Sequence, residues 1–186
     1  MSDSKLANPG AVGLGGFGLT TLMLQFHNLG WCSLGPVMAS ALIFGGLAQF
    51  IAGFQEMRTG NTFGYAAFTG YGSFWISLAL ILLANHFNVY KSSGTDIGWF
   101  LVAWTIFTAI LWVGSMRVNN ALALTFTALL VGFILLDLAH FGYPFLMKVA
   151  GVELIITAFL AWYVMGHVIF LEVFGRDVFP VGKSWL

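Results

Sequence analysis

The most constraining feature of this sequence is how far it runs without a charge. No lysine, arginine, aspartate or glutamate occurs between Lys5 and Glu56, and a second charge-free interval extends from Thr59 to Tyr90. Charged residues make up 8% of the chain, against roughly 25% in a typical soluble domain, and the mean hydropathy is +0.91. Because a charge is costly in the middle of a bilayer, such intervals are typical of membrane-spanning segments. The sequence therefore predicts an integral membrane protein.

Charges and turn-forming residues divide the chain into pieces of membrane length. The first interval can hold two spans of about 20 residues each, separated by the turn-rich run at 27–36, and a polar loop at 88–96 follows the third span. The predicted fold class is all-α, a compact bundle of six transmembrane helices in a single transmembrane domain over residues 1–186. The predicted spans are 10–28, 36–57, 63–87, 97–116, 118–136 and 145–174.

The distribution of lysine and arginine predicts the orientation. An even number of spans places both termini on one side, and five of the seven basic residues fall there. Since positive residues favour the cytoplasmic side, we expect a multi-pass protein of the cytoplasmic (inner) membrane with both termini in the cytoplasm. Glycines and threonines make the first span a poor signal peptide. The terminal-side residues are Lys5, Arg58, Arg117, Arg176 and Lys183, and the others are Lys91 and Lys148.

A glycine-rich stretch, Gly60 to Trp75, has an unusual composition for a buried helix. It reads G-N-T-F-G-Y-A-A-F-T-G-Y-G-S-F-W and keeps Gly70 and Gly72 on either side of Tyr71. Glycine costs about 1 kcal/mol relative to alanine inside a helix, so such a cluster indicates that something approaches the backbone closely. Either a neighbouring helix or a permeating solute fits this requirement.

Polar residues inside the predicted spans are candidate binding residues. Gln49 lies four residues from both Gly45 and Gly53, so one helix face is predicted to carry an amide flanked by bare backbone. An unpaired amide in hydrocarbon is costly, so Gln49 either bonds to another helix or lines a pathway. Thr20 is a weaker candidate, because threonine can bond to its own helix.

Two asparagines mark predicted helix starts on the terminal side. Asn8 precedes Pro9, and Asn61 with Thr62 precedes the third span. Asparagine caps free backbone N–H groups, and proline is tolerated in the first helical turn. These positions are either ordinary caps or helix ends that attract small anions.

The remaining titratable residues favour transport over catalysis. No carboxylate falls at a predicted midplane, and Glu153 is the candidate for proton coupling. Three histidines are predicted near the outer surface and His167 deeper, toward the other side, so a pair at matching depth for haem is not expected. The sequence shows no nucleophile with a base, no metal-ligand spacing and no phosphate loop, so neither an enzyme nor a metal or cofactor site is expected. A net charge of zero gives no basis for nucleic-acid binding.

Four motifs together resemble those of the acetate uptake transporter family. They are N-P-G-A-V-G-L at 8–14, G-N-T-F-G at 60–64, Y-G-S-F-W at 71–75 and F-G-R at 174–176. The resemblance spans nearly the whole chain, with one departure. The family's first motif usually has a second proline, where this chain has Gly10, Ala11 and Val12. The missing proline is expected to leave the start of the first helix less stiff and to affect substrate preference and opening.

This resemblance implies a homohexamer in which each protomer has its own path for acetate and, in some members, succinate. Members of the family are described both as proton-coupled symporters and as anion channels. The family's path narrows at an apolar constriction, which by motif corresponds to Phe17, Tyr71 and Leu129 and would select solutes by bulk. The candidate substrate-binding residues are Asn8, Thr20, Gln49, Asn61 and Thr62. Two alternatives remain open: a pore for water or a small neutral solute, and a haem-bearing or purely structural membrane protein.

Overall fold

Helices make up most of the structure. The computed structural model describes residues 6–186, so Lys5, one of the predicted terminal-side cations, lies outside the described residues. Within 6–186 there are six helices and no strand, and the middle of the second helix, Ile43–Ala48, is π-helical. The helices are α1 (Gly10–Asn28), α2 (Leu34–Arg58), α3 (Thr62–His86), α4 (Gly94–Ser115), α5 (Asn120–His140) and α6 (Leu146–Phe174).

The helices differ in how well they match a lipid environment. Among the described residues, α2 to α6 are long and apolar enough to cross a membrane, whereas α1 is not apolar enough by the same measure. Helix α1 contains five glycines, and more than half of its 19 residues are buried. It packs against α2, α3 and α6. Because α1 is enclosed by other helices, it does not need an apolar surface on every side. The fold is that of a multi-pass membrane protein with α1 at its centre.

Two helix boundaries differ from the predicted spans because of local hydrogen bonds. Helix α4 begins at Gly94 rather than 97, since Ser93 and Asp96 form a capping box in which each side chain binds the other residue's backbone N–H. Helix α5 continues beyond 136 through Asp137 to its end at His140. Asp137 is tolerated inside the helix because its Oδ2 accepts a hydrogen bond of 2.7 Å from Thr105 Oγ1 on α4.

Close contact between α2 and α3 depends on glycine. A Cβ atom placed on Gly72 would lie 2.7 Å from the backbone nitrogen of Phe50. One placed on Gly53 would lie 2.6 Å from the backbone nitrogen of Thr69. Both distances are too short for a carbon atom, so these glycines allow the two backbones to approach as small residues do in membrane helix pairs. The packing interpretation therefore accounts for Gly53 and Gly72.

Candidate functional site

Three cavities follow one another through the bundle, bounded mainly by α1, α3 and α5. The first opens at the end of the bundle where α1, α3 and α5 begin and has a volume of about 190 Å³. The second lies in the middle and has a volume of about 30 Å³. The third opens beside the connections between α1 and α2 and between α5 and α6, with a volume of about 180 Å³. We call them the terminal-side, middle and loop-side cavities.

The three residues of the expected constriction lie where the terminal-side and middle cavities meet. Phe17, Tyr71 and Leu129 line both cavities, and each is at least nine-tenths buried. The rings of Phe17 and Tyr71 have centroids 5.5 Å apart. The Tyr71 hydroxyl forms a hydrogen bond of 2.9 Å with Thr108 Oγ1 on α4. This bond fixes the tyrosine ring at the junction, and α1, α3 and α5 each contribute one side chain to an apolar wall.

A second narrow region separates the middle cavity from the loop-side cavity. Leu24, Phe74 and Leu136 line both of these cavities and again come from α1, α3 and α5. Neither the motifs nor the composition indicated this region. Helical spacing could have indicated this second region. On α1, α3 and α5 its residues follow those of the first constriction by seven, three and seven positions, and such spacings keep two side chains on the same face of a helix.

Gln49 presents a buried amide to the terminal-side cavity. The residue is 0% exposed and lines that cavity. Neither its Nε2 nor its Oε1 has a hydrogen-bond partner within residues 6–186. Gln49 follows directly after the π-helical segment. A Cβ atom on Gly45 would meet Thr20 of α1, and one on Gly53 would meet Thr69 of α3. That one face carries Gly45, Gln49 and Gly53 stays a prediction, and Gln49 itself lines a cavity.

Three asparagines line the terminal-side cavity, each just before a helix that starts there. Asn8 precedes α1, Asn61 precedes α3 and Asn119 precedes α5. In each case Oδ1 accepts a hydrogen bond of 2.8 to 3.0 Å from a backbone N–H of the following turn. The N-termini of three helices, which carry partial positive charge, thus converge on this cavity. Asn119 was not identified from the sequence, although an asparagine at the start of a predicted helix is a typical capping residue and could have indicated it.

A carboxylate also lies at the terminal-side cavity. Glu56, near the end of α2, is 3% exposed and lines the cavity wall. Its Oε2 accepts hydrogen bonds of 2.8 Å from Asn61 Nδ2 and 3.4 Å from Thr59 Oγ1. The Asn61 side chain is therefore used twice, as donor to Glu56 and as cap of α3. This arrangement fixes the side chain rather than leaving it free to move with a solute.

Three other predicted site residues lie away from the walls of these cavities. Thr20 is fully buried, and its Oγ1 donates a hydrogen bond of 3.3 Å to the Ser40 carbonyl on α2. Thr62 is exposed as the first residue of α3. Glu153 faces α5, where a side chain on Gly132 would meet its carboxylate. Its Oε1 accepts a hydrogen bond of 3.3 Å from Thr157. Thr20 thus bonds to a neighbouring helix rather than to its own, and Asn61 rather than Thr62 caps α3.

Two polar groups of the middle cavity have no hydrogen-bond partner in the described part of the chain; the sequence offered Thr21, beside Thr20, as a weak candidate and did not indicate Trp75. Thr21 and Trp75 line this cavity, and each is 3% exposed. Thr21 Oγ1 and Trp75 Nε1 have no hydrogen-bond partner in the described part of the chain. A buried polar atom without a partner is costly, so these groups offer hydrogen bonds to a solute or water in the cavity. A single tryptophan in an apolar span gives too weak a pattern to indicate this role.

The loop-side cavity has a histidine-lined wall. His27 and Asn28 at the end of α1 and His140 at the end of α5 contribute to it. The Nδ1 of His27 lies 3.1 Å from the Cys32 carbonyl, and that of His140 lies 2.9 Å from the Leu136 carbonyl. Because a carbonyl oxygen only accepts, each ring donates from Nδ1, and Nε2 remains available to the cavity.

This chain is similar to known membrane transport proteins along its whole length. The sequence pattern of the GPR1/FUN34/yaaH family matches residues 1–172. The succinate-acetate/proton symporter SatP of Escherichia coli K12 is 39% identical over 188 residues, covering 99% of this chain and 100% of that protein. Acetate permease A of Emericella nidulans is 37% identical, covering 86% of this chain and 60% of the permease. A solved structure described as the bacterial acetate channel SatP has a TM-score of 0.92 and 38% identity, covering 96% of this chain and 100% of that one.

Proposed function

Because the chain belongs to the GPR1/FUN34/yaaH family, we propose that it transports small monocarboxylates across a membrane, chiefly acetate, with succinate as a second substrate. The observation that carries this proposal is the buried Gln49 amide, whose donor and acceptor have no partner within residues 6–186 and which lines a cavity that ends at an apolar constriction. The names of SatP and acetate permease A support the choice of acetate.

The mechanism follows from the order of polar and apolar surfaces along the path. At neutral pH acetate is almost entirely the anion. The helix N-termini at the terminal-side cavity attract it, and the Gln49 Nε2 donates a hydrogen bond to its carboxylate as water is removed. Phe17, Tyr71 and Leu129 admit a methyl group and resist bulkier solutes. Beyond them, the Thr21 hydroxyl and the Trp75 indole N–H replace part of the lost hydration.

We also propose that all six helices cross the inner membrane, with both termini in the cytoplasm. The burial of α1 at the centre of the bundle explains how a helix of lower hydropathy can span. The predominance of lysine and arginine on the terminal side supports the orientation. The apolar side chains exposed on α4, including Trp99, Ile106 and Ile110, suit either lipid or neighbouring protomers of a homohexamer.

Proton coupling through Glu153 remains a prediction. Its carboxylate lies between α5 and α6, outside the walls of the three cavities described above. A path that accepts the anion through neutral donors does not require it. If Glu153 carries the proton, Glu153→Gln abolishes the response of acetate uptake to an imposed pH gradient. If transport is channel-like, that response is unchanged.

The function is tested by labelled acetate uptake into proteoliposomes, with and without a pH gradient, for the wild type and Leu129→Ala. We expect saturable uptake that unlabelled acetate competes away, and we expect Leu129→Ala to admit lactate and succinate, because a smaller side chain widens the apolar wall. Leu124→Ala, which removes an exposed leucine from the same helix, is the control and should leave selectivity unchanged. Failure of unlabelled acetate to compete would favour a pore for water or a neutral solute.

A further inference from the structure

The segment after α6 folds back over the terminal-side end of the bundle. Helix α6 ends at Phe174, because Gly175 takes a φ of +65° and its backbone N–H donates to the Leu171 carbonyl. The chain then returns along the outside of α6. Phe179 stacks on Tyr163 with ring centroids 5.0 Å apart and an interplanar angle of 9°. The His167 ring bonds through Nδ1 to the Phe179 carbonyl at 2.8 Å and to Asp177 at 3.0 Å.

The same segment then reaches the start of α5. The Val181 carbonyl accepts a hydrogen bond of 2.9 Å from the backbone N–H of Ala121, which lies in the first turn of α5 and has no partner inside its own helix. Trp185 bonds twice: its backbone N–H to the Met116 carbonyl at 2.8 Å and its indole Nε1 to Asn120 Oδ1 at 2.7 Å. Gly182, with a φ of +73°, allows the chain to turn between these contacts.

These contacts bear on the transport path because the α4–α5 turn forms part of it. Val118 and Asn119 line the terminal-side cavity. They lie between Met116 and Asn120, the two residues that Trp185 binds. The position of the Asn119 cap is therefore set from two sides, by its bond to Leu122 within α5 and by the returning segment beside it.

We propose that residues 177–186 act as a positioning strap, which holds the α4–α5 turn so that Val118 and Asn119 shape the mouth of the terminal-side cavity. The inference rests on the proposed transport function and adds Trp185 to it as a positioning residue. The strap affects how the solute enters the terminal-side cavity. It leaves selection by size unchanged, because Phe17, Tyr71 and Leu129 lie deeper in the bundle, away from the α4–α5 turn.

The test compares the full-length wild type with Trp185→Phe, which keeps an aromatic ring and removes the indole donor, and with a chain lacking residues 177–186. Trp99→Phe, at an exposed tryptophan on α4, is the matched control. Hydrogen–deuterium exchange of residues 116–124 and the kinetics of acetate uptake are measured on the same preparations. For Trp185→Phe we expect the KM for acetate to rise about threefold, the change that one lost hydrogen bond allows, with faster exchange at the start of α5.

The acetate-to-lactate ratio should be unchanged in every variant, and Trp99→Phe should match the wild type. Unaltered exchange of 116–124 in both strap variants would overturn the proposal, and so would an altered acetate-to-lactate ratio, since the strap would then act on the constriction. If the shortened chain does not fold, Trp185→Phe and Asp177→Asn decide the outcome. If the wild type does not transport acetate, the proposed function fails, whereas the exchange measurement still tests the strap.

Discussion

The terminal-side and loop-side cavities have nearly the same volume, about 190 and 180 Å³, but their walls differ. Helices α1, α3 and α5 begin at the first and end at the second. Each begins after an asparagine, Asn8, Asn61 or Asn119, and each has a histidine in its last turn, His27, His86 or His140. The comparison shows that three helices running in the same direction make the two ends of a path chemically different.

The difference has an electrostatic consequence. Backbone N–H groups give a helix N-terminus a partial positive charge, and backbone carbonyl groups give the C-terminus a partial negative one. We therefore expect the ends of α1, α3 and α5 to favour an anion at the terminal-side cavity, against the opposing charge of the Glu56 carboxylate in its wall. At the loop-side cavity the same helices present carbonyl groups, which suit the N–H groups of histidine better than a carboxylate. Gln49 adds a neutral donor only at the terminal-side end.

Among these substitutions, loss of the Gln49 amide at the terminal-side cavity should have the largest effect on acetate uptake. Gln49→Leu keeps the volume of the side chain and removes the donor, and we expect acetate uptake to fall about tenfold, which corresponds to about 1.4 kcal/mol. The folded state should be as stable as the wild type or more so, because an unpaired buried amide is removed. Initial rates of labelled acetate uptake and the thermal unfolding midpoint measure the two effects.

Gln55→Leu is the control for that substitution. Gln55 lies on the same helix, and its Oε1 accepts a hydrogen bond from Arg58 at the exposed end. Uptake by Gln55→Leu should match the wild type. A Gln49→Leu rate within twofold of the wild type would remove this amide from the mechanism.

A negative charge should be more harmful at the terminal-side cavity than at the loop-side cavity. In Asn61→Asp the side chain can still cap α3, but it places a carboxylate beside Glu56 and repels the incoming anion. We expect the KM for acetate to rise about fivefold, or about 1 kcal/mol. Asn28→Asp puts the same change at the loop-side cavity, where we expect a smaller effect. Equal effects of the two substitutions on KM would show that the helix ends do not distinguish the two cavities.

The smallest effect is expected from the loop-side histidines. His140→Gln retains a side-chain donor near the Leu136 carbonyl that the Nδ1 of His140 contacts, and the constriction lies elsewhere. Acetate uptake at pH 7.5 should change by less than about twofold, within the range of a single partly buried polar contact. A larger loss, measured by the same uptake assay, would mean that the loop-side cavity binds the solute as strongly as the terminal-side cavity does.

The sequence was informative where one physical rule acts locally. Charge-free intervals located the helices, since a charge in lipid is costly, and asparagine before a helix indicated two of the three caps on the terminal side. Gln49 could be selected because an amide inside a span needs a partner. These inferences depend on a residue and its immediate neighbours in the chain.

Features that depend on how helices face one another could not be predicted. Thr20 faces α2, and Trp75 lines the middle cavity, although both are single polar residues in apolar spans. Whether such a residue faces another helix or a cavity depends on how its helix is rotated about its own axis. The sequence does not predict that rotation, because α1 and α3 contact protein on several sides and so show little hydrophobic periodicity. The strap was missed for the same reason, since nothing next to Trp185 in the sequence indicates that it binds Asn120.

The π-helical turn at Ile43–Ala48 has a consequence for how this path could be lost or changed. A π turn holds one residue more than an α turn, and one residue corresponds to about 100° of rotation. Deleting a single amino acid there would rewind α2 as uninterrupted α-helix and swing the Gln49 amide out of the cavity. Every other side chain would be retained, and the segment would still insert in lipid. We therefore expect the proposed contact of Gln49 with the solute to depend on chain length in this segment, and a one-residue gap in an alignment of this region deserves the weight normally given to a substitution.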